Sequence, residues 1–405
     1  MTHPTKKLGE VVQLQNGFAF KSSEYSKSGF FVMRIANVQD GRIELNDPKY
    51  IDLSRSNEFR NFILNEEDIL ISLTGNVGRV GVVQNKHLPA LLNQRVARIS
   101  VKDKKRLSNE YLFHFLRSPY FFSKVVARGK GMAQQNVSTR EIESIAIPLP
   151  PIAEQKRIVY GLEKQFAKID AAIRLRQQSL AATAALLPAT LHEIFEEGKQ
   201  KGWEVIAFGD ESYLQIIDGD RGKNYPSKHD FSTEGHCLFL NTSNVRKGEF
   251  NFSKMDFISK EKDTGLRKGK LMRGDVVLTT RGTLGNTAYY GPDISYNDIR
   301  INSGMVILRV NPSSIMQNYL LYVMNSGEFM RTVKNANSGS AQPQLPIKVL
   351  SKLTFPLPPL AEQKKIVAKL DALSAKIRTI QLLQTTQLTT LKSLKQSLLA
   401  EVFAK

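Results

Sequence analysis

The sequence contains a single cysteine, Cys237, among 405 residues. One cysteine excludes an internal disulfide and any metal site that is built from several cysteines. No uninterrupted apolar run approaches the roughly 20 residues that a membrane helix needs. The first residues, MTHPTKKLGE, contain no apolar stretch of the kind found in secretory signals. These absences predict a cytoplasmic protein without a membrane partner.

Residues typical of catalysis are also missing. The 6 histidines are scattered along the chain, and none lies at metal-ligand spacing from another. There is no carboxylate–lysine cluster typical of nucleases and no Asn-Pro-Pro-aromatic motif typical of amino-methylating enzymes. We therefore expect no catalytic residue, metal or cofactor in this chain itself.

Acidic side chains are scarce relative to basic ones. The chain has 57 Lys and Arg against 38 Asp and Glu, which gives a net charge of +19. Residues 348–405 alone carry 10 basic and 3 acidic side chains, so the excess lies along segments that are predicted to fold. A charge of this size predicts a polyanionic partner, most simply nucleic acid.

A twelve-residue phrase occurs twice in the sequence. It reads PLPPIAEQKRIV at 148–159 and PLPPLAEQKKIV at 356–367, with ten of twelve positions identical and a separation of 208 residues. Other residues match at the same separation: Tyr111, Leu112, Gly131, Ala133 and Gln134 match Tyr319, Leu320, Gly339, Ala341 and Gln342. A period this long indicates a duplicated module rather than a solenoid, whose repeats run to about 20–50 residues.

Each copy of the phrase is followed by a segment with helical periodicity. Apolar residues held at heptad spacing over more than three heptads are typical of a coiled coil. The two stripes are Leu162, Phe166, Ile169, Ile173, Leu180, Leu187, Leu191 and Ile194, and Ile366, Leu370, Leu373, Ile377, Ile380, Leu391, Leu398 and Val402. Each helix has about 45 residues and is therefore roughly 65 Å long. We expect Gly198 to end the first helix and Pro188 to kink or break it.

The segments before the two phrases are predicted to be mixed α+β heads. Short β-rich runs are bounded by turn residues, and Ser108 is placed to cap a short helix that runs through Leu116. The predicted runs are Phe30–Ile35, Ile69–Leu73, Val96–Val101, Leu238–Leu240, Val276–Thr280 and Met305–Val310. Since a second helix that packs on the first must run back along it, we expect two heads joined by antiparallel helices with a pseudo-two-fold repeat. The predicted boundaries are 1–150, 151–198, 199–358 and 359–405, in the order head, helix, head, helix.

Two glycine-rich loops are candidates for contact with nucleic acid. They read TGNVGRVG at 74–81 and RGTLGNTA at 281–288, and each follows an apolar run. Glycine allows a phosphate to approach the backbone amides, and Arg79 and Arg281 would supply positive charge. A tight turn between two strands explains the same glycines equally well.

A polar segment precedes each phrase and supplies further candidates. Its amides can pair with adenine, and its arginine can pair with guanine. The candidates are Arg128, Lys130, Gln134 and Gln135 in the first copy, and Gln342 and Gln344 in the second. A polar loop that fixes the start of the helix is the competing interpretation. Elsewhere in the second head, Arg221, Lys223 and Arg246 are candidate DNA contacts, and each also fits a solvated or phosphate-facing charge.

The doubled phrase, the Gly-x-x-Gly loops and the Ala-Gln segments together resemble the specificity subunit of type I restriction–modification systems, over nearly the whole chain. The resemblance implies a non-catalytic subunit whose two heads each read one half of a split double-stranded DNA target, with the helices setting the gap. It also implies two modification subunits that carry S-adenosylmethionine and methylate adenine, and restriction subunits that complete a translocating nuclease. In this context Glu154, Gln155, Glu362 and Gln363 are expected to cap the helices or contact the methylating partners.

Two other functions remain open from the sequence. The chain could be a nuclease or methylase fused to a target reader, which would require a cofactor pocket that the sequence does not reveal. It could also be a coiled-coil adaptor without a role on DNA. Binding of S-adenosylmethionine by the isolated chain would favour the enzyme. Charge reversal at Arg128 and Lys130 tests the adaptor, because only a DNA reader would lose affinity.

Overall fold

The structure is a computed structural model of the chain, and it describes residues 3–128, 136–335 and 344–403. The chain forms two compact units. Unit 1 consists of Met1–Gln178 together with Gln384–Lys405, and unit 2 consists of Ser179–Leu383. Among the described residues, no helix is both long enough and apolar enough to cross a membrane.

Within the described residues, the head of unit 1 contains a four-stranded sheet, a three-stranded sheet and two strand pairs. An antiparallel four-stranded sheet has the order Val12–Asn16, Val96–Val101, Ile69–Ser72 and Val80–Val82. A three-stranded sheet has the order Tyr50–Ile51, Phe30–Met33 and Ala90–Leu92, with the last two strands parallel. Thr5–Lys7 pairs with Ala146–Pro148, and Val38–Gln39 pairs with Arg42–Ile43. The short helices are Leu8–Val11, Asn109–Leu116, Pro119–Arg128 and Thr139–Glu143.

The head of unit 2 repeats this topology. Its four-stranded sheet has the order Leu214–Asp218, Met305–Val310, Val276–Thr279 and Thr287–Tyr289. Its three-stranded sheet has the order Phe257–Ile258, Cys237–Leu240 and Ile299–Ile301, again with one parallel pair. Glu204–Ala207 pairs with Thr354–Leu357, and Val245–Arg246 pairs with Glu249–Phe250. The short helices are Lys260–Gly265, Gln317–Met324, Gly327–Asn335 and Ile347–Leu350. The predicted duplication of a mixed α+β head is confirmed.

Local sequence signals explain several of these elements. The side chain of Ser108 accepts a hydrogen bond from the Tyr111 amide and caps the helix Asn109–Leu116, as predicted. The predicted strands over Val96–Val101 and Met305–Val310 are present with those limits. Their residues alternate between the two faces of the four-stranded sheet, so each strand contributes to two apolar clusters.

Two long helices, Ile152–Gln200 and Leu360–Phe403, each contribute segments to both units. Within unit 1, Phe403 lies against the head in which the first long helix begins, while Lys395 contacts Asp170 farther along that helix. Within unit 2, Lys201 lies 3.7 Å from Glu362 at the beginning of the second long helix. The helix segments in each unit are therefore antiparallel, as predicted.

The parts of the apolar stripes that lie beside the heads are buried with them, whereas Ile380, in the middle of the second stripe, is exposed. In unit 1, Leu162, Phe166 and Ile169 join the core of the head, and Leu399 and Phe403 join the same core from the second long helix. The equivalent core in unit 2 includes Leu191, Ile194, Phe195, Ile366 and Leu370. Burial of an amphipathic helix face is what stabilises such long helices in water.

Two expectations about the first long helix are corrected. The helix continues through Pro188, so the break that was one of the two predicted outcomes is absent, and the kink stays a prediction. Leu191 and Ile194, which follow the proline, are buried, and their burial offsets the cost of roughly 3 kcal/mol for an internal proline. The helix ends at Gln200 rather than at Gly198, and Gly202, with φ of +70°, supplies the left-handed residue after it.

Candidate nucleic-acid interface

The glycine-rich loop of each head is a turn between two strands of the four-stranded sheet. In unit 1, Gly75 and Gly78 have φ values of +68° and +79°. In unit 2, Gly282 and Gly285 have φ values of +70° and +81°. Residues with a Cβ rarely adopt this region, so the turn itself requires glycine. The glycines therefore have a sufficient structural reason, and their contact with DNA stays a prediction.

A hydroxyl at the end of the preceding strand holds each turn. Ser72 Oγ donates a 2.5 Å hydrogen bond to the carbonyl of Asn76, and Thr279 Oγ1 donates one of the same length to the carbonyl of Thr283. Both hydroxyl-bearing residues are completely buried. The same device in both units gives the two turns a common shape.

The turn of each head contacts the last residue of the polar segment. Thr74 forms an isolated antiparallel bridge with Asn136, and Arg281 forms the equivalent bridge with Gln344. The amide of the next residue, Val137 in unit 1, donates a 2.9 Å hydrogen bond to the carbonyl of Leu73. The structure thus brings together the two regions that the sequence marked separately as candidates.

A third loop, residues 93–95 in unit 1 and 302–304 in unit 2, contacts the glycine-rich turn in each head. The amide of Leu73 donates to the carbonyl of Arg95 at 3.0 Å, and the amide of Thr280 donates to the carbonyl of Gly304 at 2.8 Å. The amide of Arg281 donates to the same Gly304 carbonyl at 3.1 Å. We call this convergence of three loops the loop junction; it consists of residues 73–79, 93–95 and 136–137 in unit 1, and residues 280–286, 302–304 and 344–345 in unit 2.

Each loop junction carries an exposed arginine, but from a different loop. In unit 1 the arginine is Arg95, which the sequence reasoning missed, and its structural counterpart in unit 2 is Gly304. In unit 2 the arginine is Arg281, whose counterpart in unit 1 is Thr74. The positive charge is therefore kept at the junction although its position in the sequence changes. Only a comparison of the two folded heads reveals this exchange.

The other predicted arginines have partners within their own heads. Arg79 is half-buried, and its Nη1 donates a 2.7 Å hydrogen bond to Gln39 Oε1. Arg221 lies 3.2 Å from an oxygen of Asp218 and donates at 3.3 Å to the carbonyl of Ser303, so it borders the junction of unit 2. These contacts orient the guanidinium groups, and Arg221 remains exposed.

Two further predicted contacts lie near the same loops. Arg246 is an exposed residue of the small hairpin with Glu249, and the side-chain Nδ2 of Asn286 in the turn donates at 3.1 Å to the carbonyl of Val245. Lys223 is exposed two residues beyond Arg221. Lys130, Gln134, Gln135 and Gln342 lie outside the described residues. For Arg128 only the backbone is described, at the end of the helix Pro119–Arg128.

The expectation for Gln155 and Gln363 as partner contacts is corrected by their burial. Both side chains are 0% exposed, and each is hydrogen-bonded within its own unit. A side chain in this position cannot reach a second protein while the unit is folded. Glu154 and Glu362, by contrast, are partly exposed and remain candidate partner contacts. A hydrogen bond from Arg157 holds the pKa of Glu154 below its usual value, so this carboxylate is charged at neutral pH.

A buried ionic cluster in unit 2 was also missed. Asp263 is 4% exposed and accepts hydrogen bonds from Arg300 and Lys270, both at 2.5 Å. Lys270 also donates to Asp298 at 2.7 Å, and His236 Nε2 lies 3.6 Å from Asp263. Burial opposes ionisation of Asp263, but the hydrogen bonds from the two cations outweigh it and lower the pKa of this carboxyl. Because the Lys270 ammonium lies between the carboxylates of Asp263 and Asp298, we interpret the cluster as a structural ion network rather than a metal site.

Comparison with known proteins supports the duplicated architecture. The sequence model of the family described as type I restriction modification DNA specificity domain matches residues 3–179 and 200–390. The chain is 27% identical over 418 residues to the type I restriction enzyme EcoBI specificity subunit of Escherichia coli, covering 98% of this chain and 84% of the relative. It is 26% identical over 419 residues to the StySPI specificity subunit of Salmonella potsdam, covering 98% and 88%.

Solved structures share the fold. A chain from the structure described as "Structural basis underlying complex assembly and conformational transition of the type I R-M system" superposes with a TM-score of 0.73 at 22% identity, covering 98% of this chain and 96% of that one. The HsdS subunit from Thermoanaerobacter tengcongensis gives a TM-score of 0.54 at 22% identity, covering 99% and 96%. The heads and long helices described above are thus a fold already observed.

Proposed function

This chain belongs to the type I restriction modification DNA specificity family, and on that premise we propose that each loop junction contacts one half of a split DNA target. As a specificity subunit, the chain is a non-catalytic component of a type I restriction–modification complex. Sequence recognition is its contribution to that complex, and the chemistry belongs to other subunits.

The observation that carries the proposal is the positive charge present at both loop junctions. Each head has one exposed arginine there, Arg95 in unit 1 and Arg281 in unit 2, on different loops of the same fold. A packing role would fix the residue at one backbone position, whereas contact with a polyanion requires only that the charge be present. Arginine pairs bidentately with guanine and also binds phosphate, so the same residue can serve recognition or affinity.

Differences between the heads fit two half-targets of different sequence. At the corresponding positions of the two junctions, unit 1 has Thr74 and Arg95 where unit 2 has Arg281 and Gly304. The surrounding loops carry Gln39 and Gln94 in unit 1, but Arg221 and Arg246 in unit 2. Two heads that share a fold but differ in the side chains of their loops are suited to recognising two different base sequences.

The proposal extends to the partners. Two modification subunits would hold S-adenosylmethionine and methylate adenine, and restriction subunits would add translocation and cleavage. Glu154 and Glu362, which lie at the beginning of each long helix and remain partly exposed, are the proposed partner contacts of this chain. The duplicated phrase supports two equivalent partner sites, one for each copy.

The test is a methylation assay with purified components. The chain is assayed alone, with the modification subunit encoded beside it, and the modification subunit is assayed without the chain. We expect adenine methylation at a specific split sequence only when both proteins are present. Methylation by the chain alone, or identical specificity without it, would overturn the proposal.

A further inference from the structure

A buried glutamine joins each head to its long helix. In unit 1, Gln155 Oε1 accepts a 3.0 Å hydrogen bond from the amide of Ser108. Its Nε2 donates to the carbonyl of Arg106 at 2.7 Å and to the carbonyl of Pro150 at 2.8 Å. Ser108 is the cap of a head helix, and Gln155 lies in the first turn of the long helix. One side chain therefore connects the starting points of two helices.

Unit 2 contains the same arrangement. Gln363 Oε1 accepts a 2.8 Å hydrogen bond from the amide of Met316, the residue that precedes the helix Gln317–Met324. Its Nε2 donates at 2.8 Å to the carbonyls of both Ser314 and Pro358. The duplicate preserves each bond although two of the three head residues differ in type, because every partner is a backbone group.

A tyrosine adds a fourth hydrogen bond in each unit. The hydroxyl of Tyr111 donates to the carbonyl of Pro148 at 3.0 Å, and the hydroxyl of Tyr319 donates to the carbonyl of Pro356 at 2.6 Å. Both rings are buried, at 1% and 0% exposure. We call each set of four hydrogen bonds, made by Gln155 with Tyr111 or by Gln363 with Tyr319, a clasp.

Burial makes the clasp geometrically demanding. Both donors of each glutamine amide are used, and a displaced helix would leave these groups unpaired away from water. An unpaired buried polar group costs about 1–3 kcal/mol, so several lost at once give one orientation a strong preference. Apolar packing alone would permit small tilts, because it has no directional requirement.

A small tilt at this point matters because the helix is long. The first long helix has 49 residues and spans about 73 Å. A tilt of about 3° at its beginning moves its far end by roughly 4 Å, which is about one base-pair step of DNA, ~3.4 Å. Discrimination between gaps that differ by one base pair thus requires a stiff connection at the point where the clasp lies.

We propose that Gln155 and Gln363 are positioning residues that determine how strictly the complex discriminates the gap between the two halves of its target. The proposal rests on the function proposed above, in which each head reads one half. It replaces the partner role that the sequence suggested for these two glutamines. The clasp contacts no base, and it acts through the direction in which each helix leaves its head.

The test measures methylation of DNA duplexes that differ only in gap length. The full chain in complex with its modification subunits is assayed on the native target and on targets with the gap shortened or lengthened by one base pair. For Gln155→Leu and Gln363→Leu we expect the preference for the native gap to fall at least tenfold. Tyr319→Phe removes one bond of a clasp and keeps the ring, so we expect a smaller fall in the same direction.

Tyr290→Phe is the matched control. Tyr290 is 1% exposed and donates to the carbonyls of Tyr296 and Asn297, within the head of unit 2 and away from the long helices. Its loss should lower the melting temperature without changing the gap preference. An unchanged preference in the glutamine variants, or in Tyr319→Phe if the glutamine variants do not fold, would overturn the inference. A wild-type complex that ignores gap length entirely would instead overturn the proposed two-part reading.

Discussion

The hydroxyl of Tyr322 donates a 2.6 Å hydrogen bond to Oδ1 of Asp371, and this bond links the head helix of unit 2 to the second long helix. The equivalent positions in unit 1, 208 residues earlier, are His114 and Glu163, whose Nε2 and Oε1 atoms lie 3.9 Å apart. The two units thus use the same pair of positions with different chemistry. Burial, reinforced by the bond to Asp371, raises the pKa of Tyr322 to about 12, so the hydroxyl keeps its proton at neutral pH.

Replacing Tyr322 with phenylalanine should destabilise unit 2 by about 1 kcal/mol, because a hydrogen bond to a charged but exposed carboxylate is lost. Denaturant unfolding of the variant measures this loss. Asp371→Asn and the double variant complete a mutant cycle that isolates the pair. Strictly additive losses in that cycle would show that the bond contributes nothing to stability.

Unit 1 should lose stability in mild acid through His114. Burial, with a contribution from Arg117, lowers the pKa of His114 to about 4, and Nδ1 makes no hydrogen bond within the described part of the chain. In the unfolded chain, the imidazole of His114 binds a proton below about pH 6.5. In the folded chain it binds that proton only below about pH 4. Stability therefore falls as the pH drops through this window, by on the order of 2 kcal/mol at pH 5.

The measurement compares the wild-type protein with His114→Phe at pH 7 and pH 5. The difference in unfolding free energy between the two pH values should be about 2 kcal/mol smaller in the variant. Other titrating groups are common to both proteins and cancel in this comparison. Equal pH dependence of the unfolding free energy in the two proteins would contradict the assignment of this stability loss to His114.

The end of the second long helix should be essential to unit 1. Phe403 is 1% exposed, and its ring packs edge-on against those of Tyr111 and Phe115 at centroid distances of 5.3 and 5.6 Å. Phe403→Ala should cost about 3–5 kcal/mol, through lost burial and the cavity left behind. Leu394, on the same helix but 45% exposed, provides the control variant Leu394→Ala. Similar losses in the two variants, measured by denaturant unfolding, would contradict the packing described.

Arg281 should contribute to DNA binding through its charge. Neutralising one phosphate contact should reduce the slope of log affinity against log salt by about 1. Titrations of Arg281→Ala at several salt concentrations, with the complex and its target duplex, measure this slope. Lys352→Ala removes another exposed charge of unit 2, beside Phe355 and outside the loop junction, and should leave the slope unchanged. A slope that is equally altered in both variants would point to general electrostatics rather than to the junction.

The features that could be predicted from the sequence are those that depend on residues close together in the chain. Apolar periodicity located both long helices, and β-rich runs such as Val96–Val101 located strands of the sheets. The 208-residue offset predicted the repeated fold, because two segments with matching apolar and glycine positions bury the same surfaces.

The features that were missed depend on residues distant in the sequence. Gln155 lies in a polar stretch that looks exposed, and only the packing of the loop before Ser108 buries it. Asp263 and Arg300 are 37 positions apart, so no local pattern signals their ion pair. Arg95 became a candidate only when the two folded heads could be compared. The helix through Pro188 shows tertiary burial outweighing a local propensity.

The central claim is that each head recognises one half of a split DNA target. Its most direct test is the methylome of a host with and without the gene for this chain, in the presence of its modification subunits. The account predicts that one new adenine-methylated motif appears, made of two specific halves separated by a gap of fixed length and free sequence. A continuous motif without a gap, or an unchanged methylome, would contradict it.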